Sequence, residues 1–565
     1  MPRMLKVATA QFETGKDTGR VLSEMLGLID EAAGLQVQLI HFQECCNYPT
    51  SYDSREEAWQ HAITIPGAMF DAIAARARRH GMHISFNAAV RGTFPDAWMV
   101  NHLIGPQGEY IGGNKKQILM WIERDAFVPA GEENLVFETS IGRIGLLSCM
   151  DGLIPETART LACQNADIIL NSLCSNGIDE AHLHIPARAA ENGVYMIAAN
   201  RIGDMVEGAD LDRLIAGTGM DREGVRGAGE SQIVGPHGQI IARATREDFG
   251  LTVAEIDLDL VENSDRLRHR RPDLYALLAR DNAMLAGLWA GRAEAGEIEI
   301  ATLVPGIGTF EAMLRECNSL IEEGCSGLVV LPELFAWQPA TLAAGPELAA
   351  EIALAIRALE RTATAADIHI AAGVPEIIDG ALVNTVVLIG PDGLIGTYRQ
   401  AHVDPVLGWA APGNDFPVFD LPFGRLGLLL GEDLFYPEAA RVLARKGVDC
   451  IACPATWRSD WHYRLMLTER AAENHVTIAV AGRADSPTAA PGTIVTTPVV
   501  YRFPETLEVN NPDRFVASES TGLFTARIDL AANRDKRLMA STDLILDSQP
   551  ALYGRLVAAK EVERT

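Results

Sequence analysis

Three residues in the first half of the chain have the types and order to carry covalent chemistry together. They are Glu44 in IHFQECC, Lys116 in GGNKKQIL and Cys149 in IGLLSCMDGLIPE. A carboxylate, an ammonium and a thiol supply a base, a cation and a nucleophile. The base takes the thiol proton and the thiolate attacks a carbonyl carbon. Lys116 and the backbone N–H of Met150 hold the oxyanion, each such donor being worth on the order of 100- to 1,000-fold in rate. Glu44 returns its proton to a leaving amine, and water activated by the same carboxylate clears the thioester. Taken singly, each residue reads more blandly. A Cys between a strand and a helix is most often packed core, a Lys is a solvated surface group, and a Glu at a strand end is a cap. Order, spacing and a second copy of the same frames set them apart.

That second copy is an internal repeat. VNHLIGPQGEYIGGNKK at Val100 returns as VNTVVLIGPDGLIGTYRQ at Val383; ARAAENGVYMIAANR at Ala187 returns as ERAAENHVTIAVAGR at Glu469; GLTVAEIDL at Gly250 returns as GLFTARIDL at Gly522. The separation is nearly constant and the order is kept. In the repeat, Glu333 matches Glu44, Gln400 matches Lys116 and Gly431 matches Cys149. Glycine has no side chain to attack anything, so covalent catalysis is excluded there. The expected organisation is a catalytic domain at 1–286, a Gly/Ala-rich linker at 287–296 and a degenerate domain at 297–565.

The elements that must position the three residues alternate between strand and helix. LKVATAQF reads as a strand, followed by an amphipathic helix with Leu22, Met25, Leu26 and Ile29 on one face and Asp17 as its cap. VQLIHF, a nearly continuous apolar run, reads as a strand buried on both sides. A helix over MFDAIAARARRHG, the strands HISFNAAV and RIGLLS, a helix with Pro155 in its first turn, and the strand ADIILNSL continue the pattern. This is an α/β layered domain. Glu44 and Cys149 each follow a strand, so both are expected at the carboxyl edge of one sheet. The strand-to-helix turn at Cys149 suits an exposed nucleophile, and a helix end with a nearby Lys is expected to favour the thiolate. The polar, Gly-rich stretch 203–227 is expected to be a flap over a pocket.

A chain of 565 residues suits two cores rather than one. A hydrophobic content of 48% and a charged content of 22% are ordinary for a globular protein. No apolar run reaches the roughly 20 residues that a membrane span needs, and MPRMLKVATAQF reads as a first strand rather than a signal peptide. Nine cysteines at irregular spacing do not make a disulfide framework, so a reducing, cytoplasmic setting is expected. A net charge of −27 disfavours nucleic acid and anionic membranes as partners. His182 and His184 lack a nearby acidic partner in sequence, so no metal is expected there. Cys45 and Cys46 read as packing residues, with redox sensitivity as the lesser reading.

These residues together resemble the nitrilase superfamily of carbon–nitrogen hydrolases, and the resemblance runs the length of both copies. It rests on the Glu, Lys and Cys frames, on RAAEN and NRIG, and on RRPDLY ending at Tyr275. It rests also on Cys149-Met150-Asp151-Gly152-Leu153-Ile154-Pro155-Glu156, which follows the family pattern Cys-x-Asp-x-x-x-Pro-Glu. The resemblance implies two tandem four-layer αββα sandwich domains, a Glu–Lys–Cys triad and no cofactor. It further implies an internal pseudo-dimer, with a further homodimer as a second expectation, and Glu123 as a second glutamate that positions substrate and Lys116. Tyr48, Tyr52 and Trp121 flank the triad and are expected to line an apolar pocket. The departures bear on the substrate. Gln43 stands where many members have Pro, which Pro332 keeps in the second copy, and Leu153 stands where many have Arg. Met150-Asp151 looks like the amidase branches rather than the Trp-Glu of nitrilases. Cys-x-Asp-Gly is similar to aliphatic amidases and formamidases, whereas RAAEN looks like the carbamoyl-amide branches. The leading expectation is a cysteine-dependent amidase acting on a small amide or N-carbamoyl amide. The alternatives are a nitrilase, an acyl transferase and a non-catalytic ligand-binding protein.

Overall fold

Along the first strand, Leu5 and Val7 point into one hydrophobic cluster and Ala8 and Ala10 into another. Successive side chains of a strand face opposite ways, so a strand with two apolar faces needs a packed layer on each side. The computed structural model shows those layers. It describes every residue except 1, 50, 121, 219–220, 323, 404–406, 489–491, 498–507, 540–541 and 559–565.

The strands of the first copy are β1 (Met4–Gln11), β2 (Leu39–His41), β3 (His83–Arg91), β4 (Ala97–Ile104), β5 (Tyr110–Lys115), β6 (Val136–Thr139), β7 (Gly142–Ser148), β8 (Ile168–Ser172), β9 (Tyr195–Ala199), β10 (Gln232–Val234), β11 (Ile240–Arg243) and β12 (Gly250–Asp257). They form two six-stranded sheets, in the orders β12-β1-β2-β3-β4-β5 and β11-β10-β9-β8-β7-β6. The centre of each sheet is parallel, β1-β2-β3 in one and β7-β8-β9 in the other. Leu5, Val7 and Leu39 of the first sheet meet Ile144, Leu146, Ile168 and Ile197 of the second in the central cluster. On the outer face of the first sheet lie the helices Thr18–Gly34 and Ala68–His80, through Val21, Met25, Ile29, Phe70 and Ile73. The outer face of the second sheet carries Pro155–Cys163 and Ile185–Asn192, through Ala158, Leu161, Ile185 and Ala189. The layers are therefore αββα. Asp17 caps the first helix by accepting from the Arg20 N–H at 3.0 Å, and Pro155 opens its helix, where a missing N–H costs nothing.

The second copy repeats this wiring. Its strands are β13 (Glu297–Val304), β14 (Leu328–Val330), β15 (His369–Ile378), β16 (Ala381–Gly390), β17 (Gly393–Arg399), β18 (Ala410–Ala411), β19 (Val418–Leu421), β20 (Gly424–Leu428), β21 (Cys450–Ala455), β22 (Thr477–Gly482), β23 (Thr493–Thr496), β24 (Asp513–Val516) and β25 (Gly522–Asp529). The sheet orders are β17-β16-β15-β14-β13-β25, with β18 paired to β16, and β19-β20-β21-β22-β23-β24.

The compact units do not follow one cut in the sequence. One unit consists of Met1–Arg268, Tyr501–Asn510 and Arg537–Leu556; the other consists of His269–Val500, Asn511–Lys536 and Val557–Thr565. Within the first unit, Leu538 and Leu544 pack with Ile118, Met150, Leu153 and Ile154. Arg124 pairs with Asp547 at 2.5 Å, and Arg555 with Glu133 at 2.7 Å. Within the second unit, the stretch 287–296 begins inside the short helix Leu285–Trp289, and the Trp289 indole donates to the Arg445 carbonyl at 3.0 Å. The stretch 203–227, expected as a flap, holds the helix Ala209–Thr218 and a short turn at Glu223–Val225, with Val206, Leu211 and Val225 in one small cluster. Its apolar residues recur at helical spacing, which outweighs its glycines.

Candidate active site

Glu44 lies just past β2, Lys116 just past β5, and Cys149 just past β7. The three therefore come from two sheets, not from the edge of one as the strand pattern suggested, because each half of the sandwich contributes its own sheet. Cross-links hold the two sheets in register at this end. The Glu44 N–H donates to the Leu173 carbonyl at 3.1 Å, and the Asn87 amide donates to Ser148 Oγ at 2.9 Å.

Lys116 is 1% exposed and sits between two carboxylates. Its Nζ donates to Glu44 Oε1 at 2.9 Å and to Glu123 Oε1 at 2.8 Å. Glu123 opens the short helix Glu123–Ala126, and its second oxygen accepts from the Met120 N–H at 2.8 Å. Glu44 Oε2 has no hydrogen-bond partner among the described residues. One oxygen of this buried carboxylate thus holds the lysine and the other is open to a proton.

The electrostatics follow from burial. Desolvation raises the Glu44 pKa to about 8; Lys116 opposes the rise and Glu123 adds to it. Burial alone would lower the Lys116 pKa, but the charges of Glu123 and Glu44 outweigh it and hold the ammonium protonated. Cys149 is 6% exposed, and its thiol is pushed well above the usual range, by desolvation first and the Glu44 charge second, with Lys116 and the Cys174 backbone N–H pulling the other way. Lys116 bonds two carboxylates and still pulls the thiol down, but desolvation and the Glu44 charge outweigh it. The buried thiol thus shares the site with a carboxyl whose own affinity for a proton is raised.

Cys149 has a φ of 46° and begins a turn of helix, Cys149–Gly152. A non-glycine residue held there stores strain that the surroundings must over-determine. They do so through residues whose individual parts the sequence did not assign. The Asp151 carboxylate, 1% exposed, accepts from the N–H groups of Gln117 at 3.1 Å and Ile118 at 2.9 Å, and so ties the nucleophile turn to the segment after Lys116. Arg188 of the RAAEN segment donates to the carbonyls of Gly152 at 2.9 Å and Leu153 at 2.8 Å and pairs with Glu191 at 2.8 Å. The visible signals were the Asp at the second position after Cys149 and the repeated RAAEN; their partners are far away in sequence.

The other sequence candidates divide. Tyr52 packs on the cluster of Cys45, Met99, Leu119 and Phe127 beside the site, its ring edge-to-face with Phe127 at 5.4 Å. Tyr48 is 6% exposed, stacked on His61 at 3.9 Å and on Tyr52 at 5.4 Å. Trp121 lies outside the described residues. Met150 is fully buried against Leu538 and Leu544. His182 and His184 each have a carboxylate of their own, Glu230 at 2.9 Å and Asp179 at 3.1 Å.

In the second copy the equivalent carboxylate, Glu333, meets an amide. The Asn384 amide donates to Glu333 Oε1 at 2.5 Å and to Gln400 Oε1 at 3.0 Å. A Cβ at Gly431 would meet the Ala455 Cβ at 3.0 Å.

The carbon-nitrogen hydrolase family profile matches residues 6–266 and again residues 300–495. The chain belongs to that family, as a tandem duplication, and is a hydrolase acting on carbon–nitrogen bonds. It is similar to a nitrilase of Pyrococcus abyssi, 29% identical over 284 residues that span 48% of this chain and 99% of that one. It is also similar to the omega-amidase NIT2 of Homo sapiens, 30% identical over 188 residues, 30% of this chain and 68% of that one. Among solved structures, an amidase from Nesterenkonia sp. matches with a TM-score of 0.38 at 22% identity, over 47% of this chain and 95% of that one. No helix among the described residues is long and apolar enough to cross a membrane.

Proposed function

We propose that the first copy is a cysteine-dependent amidase that hydrolyses a small amide or N-carbamoyl amide through a thioester. Cys149 is the nucleophile, Glu44 the general base and then acid, and Lys116 the cation. The observation that carries the reading is the buried ammonium between Glu44 and Glu123, with Glu44 Oε2 open and Cys149 close enough to feel both charges.

The steps follow from those positions. Glu44 accepts the Cys149 proton as the thiolate attacks the carbonyl carbon. Lys116 and the Met150 N–H stabilise the oxyanion, and Glu123 keeps the ammonium in place. Glu44 gives its proton to the leaving nitrogen, ammonia or an amine is released, and water attacks the thioester with Glu44 again as base. The amidase branch is favoured over the nitrile branch by Met150-Asp151 after the nucleophile, and the human omega-amidase relative supports the same class. The test is release of ammonia or amine across matched small amides, N-carbamoyl compounds and nitriles, with Cys149→Ala alongside. Turnover of amides or N-carbamoyl amides, lost in the variant, is the expected result. Turnover of nitriles alone, or turnover that survives the substitution, would overturn the reading.

A further inference from the structure

A second pair of sulfurs stands beside the proposed catalytic group and takes no part in the chemistry above. Cys45 follows Glu44, and Cys174 follows β8 by two residues. A Glu44 carboxylate oxygen, Cys45 Sγ and Cys174 Sγ all lie within 4.8 Å of one another. The Arg201 guanidinium lies 4.0 Å from Cys174 Sγ. Cys174 is partly exposed, whereas Cys45 is 1% exposed.

Two thiols and a carboxylate so close could hold a soft metal ion. The surrounding charge argues against that use, because Arg201 flanks Cys174 and Lys116 already occupies Glu44. The same cations favour a thiolate. The thiol–thiol contact and Arg201 lower the Cys174 pKa to about 6, the opposite of the shift at Cys149. The site thus contains one sulfur poised for oxidation and a second, shielded sulfur within its reach. That is the arrangement of a peroxidatic and a resolving thiol.

We propose that Cys174 and Cys45 are a modification site that closes to a disulfide on exposure to a hydroperoxide and thereby switches off the adjacent hydrolase. The Cys174 thiolate attacks one peroxide oxygen; an S–O bond forms, the O–O bond breaks, and hydroxide leaves and takes up a proton. Sulfur is oxidised by two electrons and the peroxide is reduced. The Cys45 sulfur then attacks the sulfenic sulfur; the S–S bond forms, the S–O bond breaks, and water leaves with the Cys45 proton. Two thiols and one hydrogen peroxide give one disulfide and two waters. The bond would reach the hydrolase through the backbone. Cys45 adjoins Glu44 and has a φ of 61°, and the Cys174 backbone N–H is among the groups that pull the Cys149 pKa down. Cys46 is a poorer candidate, because it is fully buried and its Sγ donates to the Gln43 carbonyl at 3.1 Å.

The loss of activity rests on the amidase reading, but the cross-link does not. The full chain is treated with hydrogen peroxide, free thiols are blocked by alkylation, and the protein is digested without reductant. The expected result is a peptide pair joining Cys45 to Cys174, two hydrogens lighter than the separate thiols, which dithiothreitol releases. Hydrolase activity falls and recovers with that species. In Cys174→Ser the pair is absent, and the dithiothreitol-reversible part of the inactivation slows about tenfold, since attack by the accessible thiolate sets its rate. Failure to find the linked pair in wild type overturns the proposal, as does oxidation confined to Cys149. A linked pair that leaves turnover unchanged overturns the switch.

Discussion

The two copies share strand order and the glutamate at the end of the second strand, yet they surround that carboxylate in opposite ways. Glu44 faces a buried ammonium that a second carboxylate also holds. Glu333 faces an amide donor, and a second amide completes the set. Ions taken out of water cost several kcal/mol each unless their partners are well placed. The first copy carries that cost in three groups, and the second has Gln400 in place of the lysine. Asp151 and its counterpart Asp433 are alike in part. Asp151 receives the backbone of Gln117 and Ile118, and Asp433 receives the His402 backbone at 3.0 Å together with the side chains of His402 at 2.8 Å and Tyr398 at 2.7 Å. The fold therefore keeps its clamp with or without the reaction, and charge together with a nucleophile separates a reactive site from a packed one.

The sharpest break of that comparison is Cys149→Ala, which removes the nucleophile and leaves the cage. Turnover is expected to fall by about 10,000-fold or more, since nucleophile and base act as a unit. A rate assay on the best amide of the panel checks this. Next is Lys116→Gln, which writes the second copy's residue into the first. A loss of roughly 100- to 1,000-fold in kcat is expected, the worth of one oxyanion donor, and a loss under tenfold would remove Lys116 from the mechanism.

The pH profile comes third. Folding raises the Glu44 pKa to about 8, so the protonated, inactive base dominates below that value. The Glu44–Cys149 pair must lose one proton to react, so kcat/KM is expected to rise about tenfold per pH unit up to about pH 8 and then level off. A profile flat from pH 6 to 9 would contradict the raised base.

Leu544→Ala removes apolar contact from the cluster of Met150, Leu153 and Ile154. A loss of about 2–5 kcal/mol in unfolding free energy is expected, read by denaturant titration. The smallest effect belongs to Gly431→Cys in the Cys149→Ala background. No turnover is expected, because the new Cβ crowds Ala455 at 3.0 Å and Gln400 stands where the first copy has Lys116. Any recovered activity would show the second site to be closer to competence than its geometry implies.

Much of this was legible in the chain. Alternating apolar runs located β1, β3 and β7, and the Asp17 and Pro155 signals marked two helix starts correctly. Other features were hidden because they depend on distant partners. The electrostatic surroundings of the Cys149 thiol were hidden, since sequence shows a lysine nearby but not the two carboxylates bonded to it. The helix Ala209–Thr218 was not read from the sequence, because the glycines around it were given more weight than its helical spacing.

By itself, the sequence determined the duplication, the layered strand and helix pattern, and which copy retains a thiol and a lysine. Those features are local, set by side-chain period and by residue type at fixed places in a repeated frame. Tertiary structure alone decided that Glu44 and Cys149 come from different sheets, that Glu44 keeps one oxygen open, that Cys45 lies beside Cys174, and that Arg537–Leu556 packs within the unit of the first copy. Each of these follows from burial and from contacts between residues far apart in the chain. Burial sets the strength of a charge, and no spacing in the sequence records it.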